Sequence, residues 1–497
     1  MKAPGWRLAT IATWLLLGCG SSGGGTGRGQ TDATVDAPTA TLAETGAVEP
    51  TPDGGMLAVD GVSPRSVVMV VDDGFDPGVA ELSGKVAASY TIECDPATGG
   101  MDAGAEAGAD PLAWGADPDF EQAKRGLIAA LQEPDHACRL REGLQPYDQS
   151  FLASVQPLRE RWNAALRADA TLSQAFTAAE YADIMQALAS APADARVHGT
   201  SVAGLLAYKN PDLRLVLVQY PLQSTSEVTA AVQCISQATI DQAMALLADA
   251  EVRAAYVSRP RADLDRGLDD AISRNNVGSL NLSLGVLPTK AIEDAMVAQG
   301  CVRVDLGPWQ ARLSELDREQ EKAQSFPSAL SVQSAGNGDD EIDGPADSAD
   351  CRQGDPTHML VGAYGLDGAL ASFSNYGLCV DLFAPGKSIL APLPGDWLLP
   401  QDGTSFSAPL VARLASMEAP LPFDPSQTRT WLVSLRGSDG NIPAARFPAD
   451  VVYDPSTAAT VDAGAASTRL ANRPFARQAT DTVKLRRLLW ILKRLGR

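Results

Sequence analysis

The sequence predicts an α/β fold: a mostly parallel sheet with helices on both faces and a helical insertion. Three observations carry that expectation. Val67–Val71 is an unbroken apolar run that ends in Asp72-Asp73-Gly74, the pattern of a strand buried on both faces with a carboxylate at its C-terminal tip. Ser331-Val332-Gln333-Ser334 is a second short strand, and it runs into the turn Ala335-Gly336-Asn337-Gly338. Val197–Ala207 and the stretch from Thr404 to Ala412 are helical segments of small and apolar residues, which pack closely on their neighbours. Functional groups in open α/β sheets gather outside the carboxyl ends of strands, so the tips of the two strands are where chemistry is expected.

The chain has 497 residues, 45% hydrophobic and 20% charged. That composition excludes collagen-like, wholly disordered and polytopic membrane classes. Forty Lys+Arg against 61 Asp+Glu leave a net charge of −21. A surface of that sign repels phosphate backbones, so no nucleic-acid partner is expected. Lys2 and Arg7 precede an apolar run from Leu8 to Leu17, too short to span a bilayer, and residues 1–18 read as a secretory signal. Residues 19–61, rich in Gly and Ser and then in Thr, Ala, Asp and Pro, read as a flexible tether. Residues 62–455 form the expected main domain, in which 95–190 are inserted. Phe120–Gln132, Gln149–Leu166 and Leu172–Ala189 carry helical periodicity there, with Pro157 breaking or kinking the middle one. A further surface helix is expected around Leu313–Gln320. Residues 456–497 are a linker and a basic amphipathic helix, with Lys484, Arg486, Arg487, Lys493 and Arg494 around Leu485, Leu488, Leu489 and Leu492. Such a helix fits an anionic membrane surface, or equally a docked helix with a solvated basic face.

The chemistry gathers in four segments. Asp72 ends the first strand, and His198, one of three histidines, starts a helix. Gly403-Thr404-Ser405 presents a hydroxyl at another helix start, with Pro409 placed early enough to be tolerated. A serine hydroxyl attacks only when a base takes its proton, and the base must be held in one tautomer by a carboxylate. Asp72, His198 and Ser405 supply those groups in the order Asp, His, Ser. Asn337 is either an ordinary turn residue or a side-chain donor to a developing oxyanion, a role worth about 10²–10³ in turnover.

Taken together these segments resemble the subtilisin-like serine peptidases, the subtilases. Val71-Asp72-Asp73-Gly74, His198-Gly199-Thr200-Ser201-Val202-Ala203-Gly204, Ala335-Gly336-Asn337, and Gly403-Thr404-Ser405 with Pro409 match the family's motifs in family order. Leu82–Val86, Asn281–Gly285, Ala371–Gly377 and Phe383–Gly386 agree as well. The resemblance implies a subtilisin-like fold and a serine endopeptidase acting on polypeptides, with Asp72, His198, Ser405 and Asn337 catalytic. It also implies that Ser283, Leu284, Gly285 and Gly336 bind substrate. No cofactor and no metal are expected.

Leu16-Leu17-Gly18-Cys19 resembles the bacterial lipobox, which implies lipid on Cys19 and an exported, membrane-anchored protein on the periplasmic or cell-surface side. Six other cysteines remain. Fifteen pairings are open to them, and proximity favours Cys94–Cys138, Cys234–Cys301 and Cys351–Cys379.

Three departures from the family stand out. Asp73 replaces a small hydroxyl residue, and strand alternation points it away from His198. Ser201 replaces a second histidine. Residues 20–61 do not resemble a folded propeptide. The alternative reading they motivate is a catalytically inactive binding lipoprotein on the same fold.

Overall fold

The computed structural model describes residues 63–94, 120–132, 136, 138–145, 150–168, 175–189, 197–220, 236–283, 289–298, 300–324, 329–348 and 350–451. The lipobox with Cys19, the tether, Cys234, Leu284, Gly285 and the C-terminal basic helix lie outside these residues. Among the described residues no helix is long and apolar enough to cross a membrane.

Eight strands form one sheet: β1 (Val67–Asp72), β2 (Val86–Cys94), β3 (Cys138–Glu142), β4 (Arg214–Gln219), β5 (Ser279–Leu282), β6 (Leu330–Ser334), β7 (His358–Tyr364) and β8 (Leu382–Pro385). Their spatial order is β3-β2-β4-β1-β5-β6-β7-β8. Every neighbouring pair is parallel except β2–β3, which is antiparallel. The expected mostly parallel sheet is therefore present. β1 lies inside it with all six residues buried. The chain moves from β4 on one side of β1 to β5 on the other, so the tip of β1 opens onto a point where strand order switches.

Alternation along the strands makes two cores. Val68 and Val70 join Leu215, Leu217, Val332 and Val361 on one face. Helices α4 (Val197–Ala207), α10 (Thr404–Glu418) and α11 (Pro425–Ser434) cover that face. Val67, Met69 and Val71 join Val216, Val218, Leu280 and Leu282 on the other. It is covered by α7 (Asp263–Arg274) through Leu264, Leu268 and Ile272. Helices thus lie on both faces, as expected.

The insertion divides into two parts. Helix α1 spans Phe120–Gln132, the range the periodicity predicts. Through Leu127 and Leu131 it joins one core cluster with α5 (Gln237–Ala248), α6 (Ala250–Val257), α8 (Thr289–Ala298) and α9 (Gly307–Gln324). The expected surface helix around Leu313–Gln320 lies within α9, which is anchored by buried Trp309 and Leu316. The expected helix Gln149–Leu166 is broken. Two short 3₁₀ turns, the second being Gln156–Leu158 with Pro157 inside it, precede α2 (Arg159–Arg167). Helix α3 runs from Ala178 to Ala189, starting later than the periodicity suggests. Its start has a local cause: Thr177 and Glu180 hydrogen-bond reciprocally, a capping box.

Helices α2 and α3 dock on a separate hairpin, β9 (Ile389–Leu393) paired antiparallel with β10 (Trp397–Gln401). Trp162 is the centre of that contact. It is wholly buried, stacks at a tilt 6.2 Å from Trp397 and donates Nε1–H to the Leu398 carbonyl at 2.8 Å. Around it Asn163 donates to the Asp396 carbonyl at 2.6 Å, and Trp397 donates to Gln156 at 3.0 Å. The opposite side of the hairpin packs on α4. A Cβ on Gly204 would lie 2.0 Å from the Pro392 ring, so this crossing admits only glycine.

Cys351 and Cys379 form a disulfide, one of the pairings that proximity favours. Cys138 and Cys301 are each part of a disulfide, and the β2–β3 register sets Cys138 opposite Cys94. Trp162→Ala should cost about 3–5 kcal/mol through the cavity and the stranded carbonyl. Urea unfolding followed by tryptophan fluorescence measures it, and a loss under about 1 kcal/mol would show that the insertion is not docked through this residue.

Candidate active site

The carboxyl edge of the sheet brings the predicted residues together from four places. Asp72 is the last residue of β1, and no part of it is exposed. His198 is the second residue of α4. Its Nδ1 lies 2.8 Å from Asp72 Oδ1. This close approach has a steric condition at the next residue. A Cβ on Gly199 would fall 2.3 Å from the Gly74 carbonyl and 2.9 Å from Asp72 Cβ, so only glycine lets the helix start here. The imidazole packs at a tilt against Phe406, ring centroids 5.7 Å apart, beside Ser405.

Ser405 is the second residue of α10 and is 2% exposed. Its hydroxyl donates to the Ser283 carbonyl at 3.1 Å. The Ser283 hydroxyl donates back to the Ser405 carbonyl at 2.8 Å, and buried Asn281 donates to the Ser283 hydroxyl at 2.9 Å. Pro409 explains why that carbonyl needs a donor. It is the sixth residue of α10, beyond the tolerant first turn that the sequence suggested. Its missing N–H would have bonded to the carbonyl four residues back, which is that of Ser405. Ser283 supplies the replacement.

Asn337 follows β6 in a turn where Gly336 (φ 99°) and Asp339 (φ 55°) take the left-handed conformation and Asn337 does not. Its Oδ1 accepts from both the backbone N–H and the hydroxyl of Thr404, each at 2.9 Å. Thr404 also accepts from the Gly336 N–H at 3.0 Å. A backbone N–H can only donate, so the oxygen of the amide must face Thr404 and Nδ2 must face the other way. Among the described residues Nδ2 has no acceptor, and it lies 3.5 Å from where a Gly403 Cβ would be. Thr404 therefore sets the orientation of Asn337. The sequence offered it only as the middle of a Gly-Thr-Ser turn.

Asp73 departs from the expected direction. β1 ends at Asp72, so the pleat does not govern the next residue. Asp73 Oδ1 accepts from the Gly199 N–H at 3.1 Å and caps the first turn of α4. Its own N–H donates to Asp72 Oδ1 at 2.8 Å. Ser201 turns away from His198: it donates to the Pro392 carbonyl at 2.8 Å and accepts from Gln401 at 2.7 Å. Both departures from the family pattern thus serve helix placement.

Ligand atoms of Asp72, Asp73 and His198 lie within 4.8 Å of one another, the one such group among the described residues with the makings of a cation site. Asp72 Oδ1 and His198 Nδ1 are bonded to each other and Asp73 Oδ1 to the Gly199 N–H, while Asp72 Oδ2 is buried without a hydrogen-bond partner among the described residues.

Burial opposes the charged form of His198, but the Asp72 charge and hydrogen bond, followed by the Asp73 charge, outweigh it. The ring is pushed up from 6.5 to about 9. Burial, then the Asp72 charge, raises Asp73 from 3.8 to about 7, against the pull of His198 and the Gly199 N–H. Both groups hold their protons to higher pH when folded than when unfolded. Their contribution to stability is present at low pH and declines as pH rises, from 3.8 through about 7 for Asp73 and from 6.5 through about 9 for His198. Asp73→Asn keeps an acceptor for Gly199 and removes the charge. The His198 titration, followed by NMR, should then move down by about one pH unit. An unmoved titration would rule out the Asp73 charge as a contributor.

The chain is 36% identical over 103 residues to Subtilisin-like protease 1 of Trichophyton verrucosum, covering 21% of this chain and 24% of that protein. It is 45% identical over 62 residues to Subtilisin-like protease 1 of Arthroderma gypseum, covering 12% and 13%. The matched segments thus span about a quarter of those relatives or less. Among solved structures, a cold adapted subtilisin-like serine proteinase is 18% identical with a TM-score of 0.32, over 74% of this chain and 80% of that one. A protease from Pseudoalteromonas arctica is 17% identical with a TM-score of 0.32, over 82% and 91%. Residues 64–434 match the Subtilase family from before β1 to the end of α11, and on that match the chain belongs to the subtilase family.

Proposed function

We propose that the protein is a serine endopeptidase that hydrolyses polypeptides. The observation that carries this reading is the 2.8 Å hydrogen bond from His198 Nδ1 to the buried Asp72 carboxylate. It fixes the proton on Nδ1 and leaves Nε2 as the basic nitrogen. In the proposed reaction Ser405 Oγ gives its proton to His198 Nε2 and attacks the substrate carbonyl. The imidazolium, stabilised by Asp72, then protonates the leaving amine, and water releases the acyl group by the same steps. Asn337 Nδ2, aimed by Thr404, and the Ser405 N–H in the first turn of α10 donate to the oxyanion.

In the resting arrangement the Ser405 hydroxyl donates to the Ser283 carbonyl. Turning it toward His198 releases that carbonyl for a substrate N–H, consistent with an extended peptide pairing along Ser283, Leu284 and Gly285 and passing Gly336. The inactive-scaffold alternative loses its main motives, because Asp73 and Ser201 have packing roles that leave the Asp72–His198 bond in place.

We propose further that the protein is exported and tethered to a membrane. Residues 1–18 act as a lipoprotein signal, Cys19 carries lipid, and residues 19–61 tether a peptidase domain over 62–455 on the periplasmic or cell-surface side of a membrane. The basic amphipathic stretch expected in 456–497 gives a second membrane contact or docks on the domain with its basic face solvated.

Ser405→Ala should lower kcat on casein by about 10⁶-fold and abolish labelling by a fluorophosphonate. Equal labelling of variant and parent would sink the nucleophile assignment. Cys19→Ser should abolish incorporation of radiolabelled palmitate in a bacterial host and leave the protein out of the membrane fraction. Continued incorporation would overturn the lipid site.

A further inference from the structure

We propose that Asn375 is a positioning residue for Asn337, holding the turn that carries the oxyanion donor. The inference rests on the oxyanion reading of Asn337 and extends it to a side chain that touches neither substrate nor reacting atoms.

Asn375 is wholly buried between β7 and β8, in the segment Ser374-Asn375-Tyr376-Gly377. Its Oδ1 accepts from the Gly338 N–H at 2.9 Å and from the Asp340 N–H at 3.0 Å. Its Nδ2 donates to the Ala335 carbonyl at 2.9 Å. Its backbone N–H donates to the Gly336 carbonyl at 3.0 Å. Four hydrogen bonds from one residue therefore grip the turn on both sides of Asn337.

The pattern requires an amide. The turn presents one carbonyl that needs a donor and two N–H groups that need an acceptor, all within reach of one short side chain. Asn supplies both functions, Asp lacks the donor, and Leu has neither. The turn also needs outside support, because Gly336 and Asp339 hold left-handed conformations and Asp339 does so with a side chain. Thr404 holds Asn337 from the α10 side through Oδ1. Asn375 holds the backbone from the opposite side. Nδ2 is then fixed in space by two clamps on different elements. A hydrogen-bond donor to a transition-state oxyanion loses its value when displaced by a fraction of an ångström.

The neighbouring residues of the loop hold the turn on its C-terminal side only: Asp339 donates to the Phe373 carbonyl at 3.0 Å and Tyr376 to the Asp340 carbonyl at 3.0 Å. Ile342 donates to the Tyr376 carbonyl at 2.7 Å and Cys379 to the Ile342 carbonyl at 3.0 Å, while Cys351 and Cys379 are joined by a disulfide. These bonds fasten the two loops farther along from Asn337. Of the loop between β7 and β8, Asn375 is the residue that hydrogen-bonds to 335, 336 and 338 among the described residues.

The test is a double-mutant cycle on casein-derived peptide hydrolysis, with kcat and KM measured separately and folding checked by thermal melting. Asn337→Ala should lower kcat by about 10²–10³-fold with little change in KM. Asn375→Ala should lower kcat by about 10–100-fold with KM within about twofold, and should weaken a peptide trifluoromethyl ketone by the same factor. In the Asn337→Ala background the second substitution should cost less than about threefold, because the group it positions is gone. If Asn375→Ala does not fold, Asn375→Asp gives the same reading: it keeps both acceptor bonds and sets a buried carboxylate oxygen against the Ala335 carbonyl where the donor was. Effects that multiply in the double variant, or a rise in KM at unchanged kcat, would overturn the positioning role while leaving Asn337 assigned. A kcat unchanged by Asn337→Ala would remove the oxyanion assignment itself, and the positioning role with it.

Discussion

The approach of α4 to the tip of β1 is the constraint on which the other arrangements depend. Two backbones must come together closely enough for His198 to reach a carboxylate that is fully enclosed, and Gly199 is what lets them. The approach costs desolvation, since Asp72 and Asp73 are both removed from water. It is offset by bonds of a specific kind. The imidazole takes one oxygen of Asp72, and the first turn of α4, with its unsatisfied N–H groups, takes Asp73. Each carboxylate therefore has a different positive partner, a ring in one case and a helix terminus in the other.

What holds α4 in that place is layered. The sheet lies beneath it through the core shared with Val68 and Val70, and α10 lies alongside. Above it the β9–β10 hairpin crosses at Gly204 and takes hydrogen bonds from and to Ser201. The helical insertion then closes over the hairpin through Trp162. Helix α10 carries Ser405 and also anchors Asn337 through Thr404, so one helix start orders two of the proposed reacting groups. The carbonyl that Pro409 leaves open in that helix is taken up by Ser283 from β5. A local defect of the helix thereby becomes a link between helix and sheet.

Much of this is legible in the sequence where one physical signal acts alone. The run Val67–Val71 has no polar interruption and can only be buried, and Phe120–Gln132 has an uncontested helical period. The reading is weaker where two signals compete. Pro157 and the residues before it carry apolar spacing, and the break expected at Pro157 prevails, with 3₁₀ turns in place of a helix. β9 and β10 each contain a proline, Pro392 and Pro400, which argues against strand, and a two-stranded hairpin tolerates them because each strand has a free edge. The pleat of β1 gives Asp73 no direction, because the strand ends at Asp72. The site residues themselves follow from motif order, but the amide orientation of Asn337 and the grip of Asn375 depend on partners tens of residues away. No local pattern encodes such distances.

The docking of the insertion on the hairpin has a consequence for the order of assembly. Residues 156 to 163 meet residues 395 to 398 at sequence separations of 233 to 241. Arg65, just ahead of β1, reaches the Ala419 carbonyl across 354 positions. Contacts this remote give a high contact order, which slows folding because the chain must be closed into long loops before the contacts repay it. During synthesis, the helix carrying His198 emerges long before the hairpin that covers it. Its outer face stays uncovered until nearly the whole domain has left the ribosome. What the late hairpin completes is the cover over Ser201 and Gly204, so a chain cut short before β9 would leave the Ser201 hydroxyl without its Pro392 and Gln401 partners.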